Sequence, residues 1–413
     1  MEILNAQPQW IKLEEYKDSV EIPPLGMVDD ELIISKCGND SVMSNSVINS
    51  FIESKKLRFA EKKCHKIHIG RIKRSCPNLM VHGVQMDGSK CEKYLGDLIS
   101  EDGRIRENVA SRRAKGYGLV DGILAILSEI PLGRFKIEMG LKLREAMLIN
   151  GILYNSEAWQ SISEDEYKQL EEVDNSFLRR LLNAHSKTST AFLHLETGTL
   201  PIRFTIANRR LVYYHNIVSK PDSELVNRVF KAQVSKPTKG DWFTTISDDF
   251  KLIKEDINNF DEATIKNIQL KKYKKFVKKE IKNAAFEYLE NDKSSKSKVM
   301  KIEYKHLSKQ KYLSSPNFTD DEVFLLARLR SRNILVKENF SGMYSDTLCS
   351  LGCQENETQQ HILTCKPILE KSNASEVAKS IEYSDIFGNE KRQKLAVLVY
   401  KELLRTRDEL LND

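Results

Sequence analysis

The stretch PPLGMVDDELIIS, Pro23 to Ser35, sets two adjacent carboxylates between two short apolar runs. Leu25, Met27 and Val28 precede Asp29 and Asp30, and Leu32, Ile33 and Ile34 follow them. Turn-prone acids between two strand-length apolar runs predict a tight β-hairpin with the aspartates at its tip. The dipeptide alone carries little meaning, because Asp-Asp recurs at Asp248–Asp249 and Asp320–Asp321. Its flanks set the first pair apart and put a β-element near the head of the chain.

Working outward, SNSVINSFIESKKLRF carries Val47, Ile48, Phe51, Ile52 and Leu57 on one helical face, with Ser44 or Asn45 as N-cap. KIHIG, Lys66 to Gly70, alternates like a strand. NLMVHGVQMDGSKCEKYLGDLIS reads as two strands around a Met86-Asp87-Gly88 turn, and a second turn at Gly103 closes the region. From Arg104 the apolar spacing changes to three and four. Tyr167, Leu170, Val173, Phe177, Leu178 and Leu181 form a stripe expected on a buried helix face. Pro201 and Pro237 mark breaks, and Trp159 and Trp242 read as core or edge anchors. A second stripe, Tyr273, Val277, Ile281, Ala285 and Tyr288, runs through a lysine-rich helix. NDKSSKSK, Asn291 to Lys298, reads as a linker, and an amphipathic helix follows from about Lys391 to Leu411. The class is α+β. The segments expected are β-hairpins with a helix (1–103), a helical region (104–245), a basic helical connector (246–340), a cysteine module (341–370) and a helical tail (371–413).

Charge is distributed unevenly over the 413 residues. The net charge is +6, yet residues 266–311 hold 15 lysines against 5 acids, which leaves the remainder of the chain acidic. A block that basic points to a polyanionic partner, most often nucleic acid; a solvated helix face is the plainer alternative. Lys271, Lys272, Lys274, Lys275, Lys278 and Lys279 are its candidate contacts. No apolar run reaches the length of a membrane span, and the N-terminus lacks the pattern of a secretory signal. Seven cysteines scattered along a long chain do not outline a disulfide framework, so an intracellular setting, nuclear or cytoplasmic, is expected.

Three of those cysteines converge. In CSLGCQENETQQHILTC, Cys349, Cys353, His361 and Cys365 have the spacing C-x3-C-x7-H-x3-C. Three thiolates and one imidazole suit a tetrahedral Zn²⁺, and four protein ligands make a closed structural site. Gly352 allows a tight turn between the first thiolates, and His361 and Cys365 are expected on one face of a short helix. Cys37, Cys64, Cys76 and Cys91 lack a paired spacing and read as buried thiols. Cys64 with His65 and His68 is explained as well by strand alternation as by a metal.

Several ordered motifs resemble a known family. PPLGMVDDELIISKCG, KKLRFAEKKCHKIHIG, KYLGDLIS with EDGRI, GILYNSEAW, LEEVDNSFLRRLL, LETGTLPIRFTIANRRLVYY and GDW are similar, in this order, to the second half of non-LTR (LINE-type) retrotransposon reverse transcriptases. The cysteine cluster with its HILTC ending resembles the CCHC zinc knuckle that follows the polymerase in such elements. The resemblance implies that residues 1–103 are the end of a palm and 104–245 a thumb.

It also implies roles. Asp29 would be a direct ligand of catalytic Mg²⁺ and Asp30 its support, because two-metal phosphoryl transfer needs clustered carboxylates. Lys63 would act on the leaving pyrophosphate, with Lys62 as its neighbouring alternative. Tyr94, Leu95 and Gly96 would form the primer grip, and Arg104, Arg106, Arg112, Arg113 and Lys115 would follow template–primer phosphates. Met27 stands where the family has an aromatic residue. Only 28 residues precede Asp29, so the fingers and the first aspartate motif are not expected in this chain. The expectation is an RNA or DNA binder without polymerase activity of its own. The alternatives are a split polymerase completed by a separately encoded N-terminal half, or a domesticated scaffold.

Overall fold

A computed structural model of the chain describes residues 11–12, 21–22, 24–27, 30–35, 38–70, 77–129, 134–291 and 304–412. The class is α+β, with short two-stranded ladders at the front and helices thereafter. β1 (Ile11–Lys12) pairs with β2 (Glu21–Ile22), and β3 (Leu25–Met27) pairs with β4 (Asp30–Leu32). The second ladder is the expected hairpin. Leu25 is in register with Leu32 and Met27 with Asp30, so Val28 and Asp29 are the only residues between the strands. Those two lie outside the described residues, whereas Asp30 is exposed.

α1 (Gly38–Ser54) starts well before the expected cap at Ser44 or Asn45. Asn45 and Asn49 are interior residues that both donate to the Met80 carbonyl, at 2.8 and 2.7 Å. β5 (His65–Ile67), β6 (Met80–Val81), β7 (Val84–Gln85), β8 (Asp87–Ser89), β9 (Cys91–Tyr94) and β10 (Asp97–Ser100) follow. The turn expected at Met86-Asp87-Gly88 does not form, because Asp87 and Gly88 are held extended in β8 by parallel pairing with β5. The turns lie instead at His82–Gly83, with φ of 48° and 79°, and at Leu95–Gly96, with φ of 46° and 92°. Positive φ at both central positions is the type I′ geometry that continues the strand twist. Neither turn carries the Asn-Gly or Asp-Gly pair that advertises it.

The helices after the ladders are α2 (Arg106–Ser128), α3 (Arg134–Leu143), α4 (Asn150–Ile152), α5 (Glu164–Leu181), α6 (Thr190–Thr197), α7 (Ile202–Val218), α8 (Leu225–Ser235) and α9 (Trp242–Leu252). A π-helical turn, Arg144–Ile149, joins α3 to α4. α10 (Glu262–Asn267), α11 (Leu270–Glu290), α12 (Asp320–Arg330), α13 (Gln359–Ile362), α14 (Lys366–Lys371), α15 (Ser375–Ala378) and α16 (Glu390–Asn412) complete the series. Most of the expected linker lies outside the described residues. Among the described residues no helix is long and apolar enough to cross a membrane.

The chain divides into two compact units. The first comprises Met1–Ala114, Leu153–Gln169 and Ile206–Lys278. It buries Arg210, whose guanidinium grips both oxygens of Asp249 at 2.6 and 2.8 Å and donates to the Trp159 carbonyl. Trp159 and Trp242 are both buried, and the Trp242 indole donates to the Glu157 carbonyl at 2.9 Å. The second Asp-Asp pair is thereby split. Asp249 is buried in the ion pair, while Asp248 is exposed and held by Lys251 one helical turn away.

The second unit comprises Lys115–Ile152, Leu170–Thr205 and Lys279–Asp413. Leu170, Val173, Phe177, Leu178 and Leu181 of α5 are buried in it, as the apolar stripe predicts. A second buried pair joins Arg144 to Asp174, both bonds at 2.6 Å, and a third joins Arg330 to Glu196. The last Asp-Asp pair occupies the first turn of α12, after a Thr319–Glu322 capping box, where negative charge complements the helix dipole. Gly198 closes α6 at φ 66°; a Cβ there would lie 2.2 Å from the Lys309 amide nitrogen.

Burial also creates an acid-sensitive point in the second unit. His194 is buried, and burial pushes its imidazole down to about 4. The unfolded chain therefore binds a proton that the folded chain refuses between about 6.5 and 4, so stability falls as pH drops through that window. The loss is on the order of 3 kcal/mol by pH 4. Urea unfolding at a series of pH values should show this slope, and His194→Gln should flatten it. Identical slopes in the two proteins would assign the acid sensitivity elsewhere.

Candidate metal centre and basic helix face

The four residues of the cysteine module are brought together. Their ligand atoms all lie within 4.8 Å of one another, with Cys353 Sγ 3.4 Å and Cys349 Sγ 3.9 Å from Cys365 Sγ. This buried Cys3His group could bind a metal ion. Local structure explains the convergence. The Cys349 amide donates to the Glu355 carbonyl at 2.7 Å and the Glu357 amide to the Thr347 carbonyl at 2.7 Å, which folds 347–357 into a small antiparallel loop. Gly352 turns within it at φ 80°. Thr358 then caps α13 by accepting from the His361 amide at 2.8 Å.

His361 and Cys365 do not share a helix face, contrary to expectation. α13 ends at Ile362, and Cys365 is the N-cap of α14, which has a proline in its first turn. Pro367 has no N–H to continue the first helix and its ring would clash with the preceding turn, so the chain breaks and restarts. The break carries the Cys365 thiol to the histidine by a different route from the one spacing implied.

The imidazole is oriented for coordination. Its Nδ1 lies 2.9 Å from Glu355 Oε2, while its buried Nε2 has no hydrogen-bond partner among the described residues. A carboxylate on one ring nitrogen sets the tautomer and leaves the other as the ligand atom. The thiols sit where an uncompensated charge is costly. Burial pushes Cys353 up, and it pushes Cys365 well above the ordinary thiol range. A cation would reverse that bias. Outside the ligand set, Glu357 is buried and accepts from the Ser350 amide and hydroxyl, at 3.0 and 2.8 Å, and from Arg407 of α16. Burial alone would raise its carboxyl, but these donors hold it below the usual range. Gln359 accepts at its backbone carbonyl from Tyr400 of α16 and donates to the Leu329 carbonyl of α12. The module is thus bonded to α12 and α16 of the second unit through Glu357 and Gln359.

The lysine-rich helix separates its two duties cleanly. Tyr273, Val277, Ile281, Ala285 and Leu289 of α11 are buried, whereas Lys271, Lys272, Lys274, Lys275, Lys278 and Lys279 are exposed. Tyr288, expected in the buried stripe, is 48% exposed, and Leu289, four residues after Ala285, is buried in its place. Lys279 pairs with Glu280 at 2.9 Å. Among the described residues the other five have no ion pair.

The remaining predicted site residues are dispersed. Lys62 and Lys63 are exposed in a 3-10 turn, Glu61–Lys63. Tyr94, Leu95 and Gly96 form the β9–β10 turn, and a Cβ on Gly96 would lie 3.1 Å from the Tyr154 ring. Arg104 and Arg106 are exposed, Arg106 lying 3.6 Å from Asp102, and Lys115 is exposed on α2. Arg113 is half-buried. Arg112 is buried. Its Nη2 donates to the Gly96 carbonyl at 2.7 Å and to Asp97 at 2.8 Å, and its guanidinium lies over the Tyr154 ring. It clamps the hairpin turn from behind.

Two thiols also differ from expectation: Cys64 and Cys91 are partly exposed rather than buried, while Cys37 and Cys76 lie outside the described residues. Sequence reasoning missed Glu355 and Glu357, although acids two and four residues beyond Cys353 were the available signal. No family model, curated protein or solved structure matches the chain.

Proposed function

We propose that the chain is a nucleic-acid-binding C-terminal segment of a reverse transcriptase of the non-LTR retrotransposon type. The observation that carries this reading is the exposed lysine face of α11, standing on a helix whose opposite side is core. Five exposed lysines without carboxylate partners among the described residues keep their charge for a polyanion. The ordered motifs that resemble such polymerases, and the β3–β4 hairpin that carries Asp30, agree with it. Polymerisation would require Mg²⁺ at Asp29, supported by Asp30. The activity proposed here is binding of RNA or DNA.

The metal we assign to the Cys3His group is Zn²⁺ in a structural role. A tetrahedral ion with Zn–S bonds of about 2.3 Å separates its sulfurs by about 3.8 Å. The observed 3.4 and 3.9 Å lie on either side of that value. Four protein ligands leave no open position for catalysis.

Fluorescence anisotropy with labelled RNA and DNA oligonucleotides across a salt series tests the binding. Submicromolar to micromolar dissociation constants at low salt are expected, with log affinity falling linearly against log salt. Absence of binding at low salt would end the reading and favour a protein-binding scaffold.

A further inference from the structure

In the first unit, α7 and α11 border an open groove of about 480 Å³. Arg209, Tyr213 and Asn216 come from α7, Lys274 and Lys278 from α11, and Glu157 also lines it. Three cations against one carboxylate make its walls electropositive. The α7 residues follow at steps of four and three, so they lie in one row along the helix. Lys274 and Lys278 likewise form a row, roughly 6 Å apart. That distance approximates the separation of successive phosphates along an extended strand.

We propose that this groove is the path of a single nucleic-acid strand, the specific seat of the binding assigned above, on which this inference rests. Lys274 and Lys278 take successive phosphates, and Arg209 adds a third cation from the facing helix. The Arg209 guanidinium is already anchored, donating to the Leu153 carbonyl at 2.5 Å, so its charge is held in position. Asn216 supplies amide donors and acceptors for base or sugar. Tyr213 offers a half-buried ring braced edge-on by Trp242, with centroids 5.9 Å apart. A braced aromatic beside paired lysines is the combination that holds single strands, through stacking and phosphate neutralisation. The groove selects two of the exposed lysines of α11 and leaves Lys271, Lys272 and Lys275 outside it.

The test compares two charge reversals of equal size and spacing in the full chain. Lys274→Glu/Lys278→Glu reverses the groove pair, and Lys271→Glu/Lys275→Glu reverses a pair on the same helix outside it. The probes are a fluorescein-labelled oligouridylate and its oligothymidylate counterpart, and thermal melting checks that each variant is folded. The groove variant should bind roughly tenfold or more weakly, with its salt slope reduced by about two. The outside variant should lose less than about threefold. Equal losses in both variants, or an unaffected groove variant, would overturn the groove while leaving nucleic-acid binding intact. A wild-type chain that binds neither oligonucleotide would overturn both.

Discussion

Cys365→Ser is expected to abolish stoichiometric metal binding and unfold the cysteine module. Cys365 is fully buried, lies 3.4 and 3.9 Å from the other two thiols, and is the sulfur common to both short separations. Serine offers a hard, poorly ionised oxygen in place of a thiolate, and a three-ligand remnant opens the site to water. Structural zinc in small modules contributes about 10–16 kcal/mol at neutral pH, so its loss exceeds what the short helices around it can offset. Atomic absorption on the purified chain should fall from about one zinc to near zero, and Cys353→Ser should behave alike. Glu355→Gln should keep the metal but weaken it by about 10- to 100-fold, because it alters only the bond that orients His361. Unchanged zinc in Cys365→Ser would mean that the ligands are other residues.

Arg330→Met should be the most destabilising single change elsewhere in the second unit. The arginine is fully buried, donates to Glu196 at 2.9 and 2.7 Å and to the Ile386 carbonyl at 3.1 Å, and is surrounded by the rings of Tyr304, Tyr312 and Phe387. Removing the cation leaves the buried Glu196 carboxylate without its counter-charge, a cost of about 3–5 kcal/mol. The double variant Arg330→Met/Glu196→Leu should recover most of that loss, because the uncompensated charge is gone. Urea unfolding of the two variants separates the cases. If the single variant lies within about 1 kcal/mol of wild type, the pair is not a buried ion pair in solution.

Legibility in the sequence followed distance along the chain. The cysteine module was readable because its four ligands fall within 17 residues and their chemistry admits few other uses. The α5 and α11 stripes were readable because period alone separates buried from exposed positions on a helix. The β3–β4 hairpin was readable from its flanks. Turn positions were read less well: Asp87-Gly88 has the favoured composition yet is extended, while Leu95-Gly96 turns without it. Composition ranks local preferences, and the pairing partner of each strand outweighs them. His361 and Cys365 had the right identity but the wrong scaffold, since Pro367 divides the helix that spacing alone joins.

Charge shows the division most clearly. From the sequence, an arginine is a surface cation by default, and the family resemblance implies a phosphate contact for Arg112. In the fold, Arg112, Arg144, Arg210 and Arg330 are all buried against carboxylates at positions 97, 174, 249 and 196. A charge can leave water only if its counter-charge arrives with it, and those partners come from separations of 15 to 134 residues. By itself the sequence determined the candidate metal-ligand set, the amphipathic helices and the lysine face of α11. Tertiary structure alone decided which arginines became core and which two lysines line a groove with α7, because burial depends on what packs over a residue.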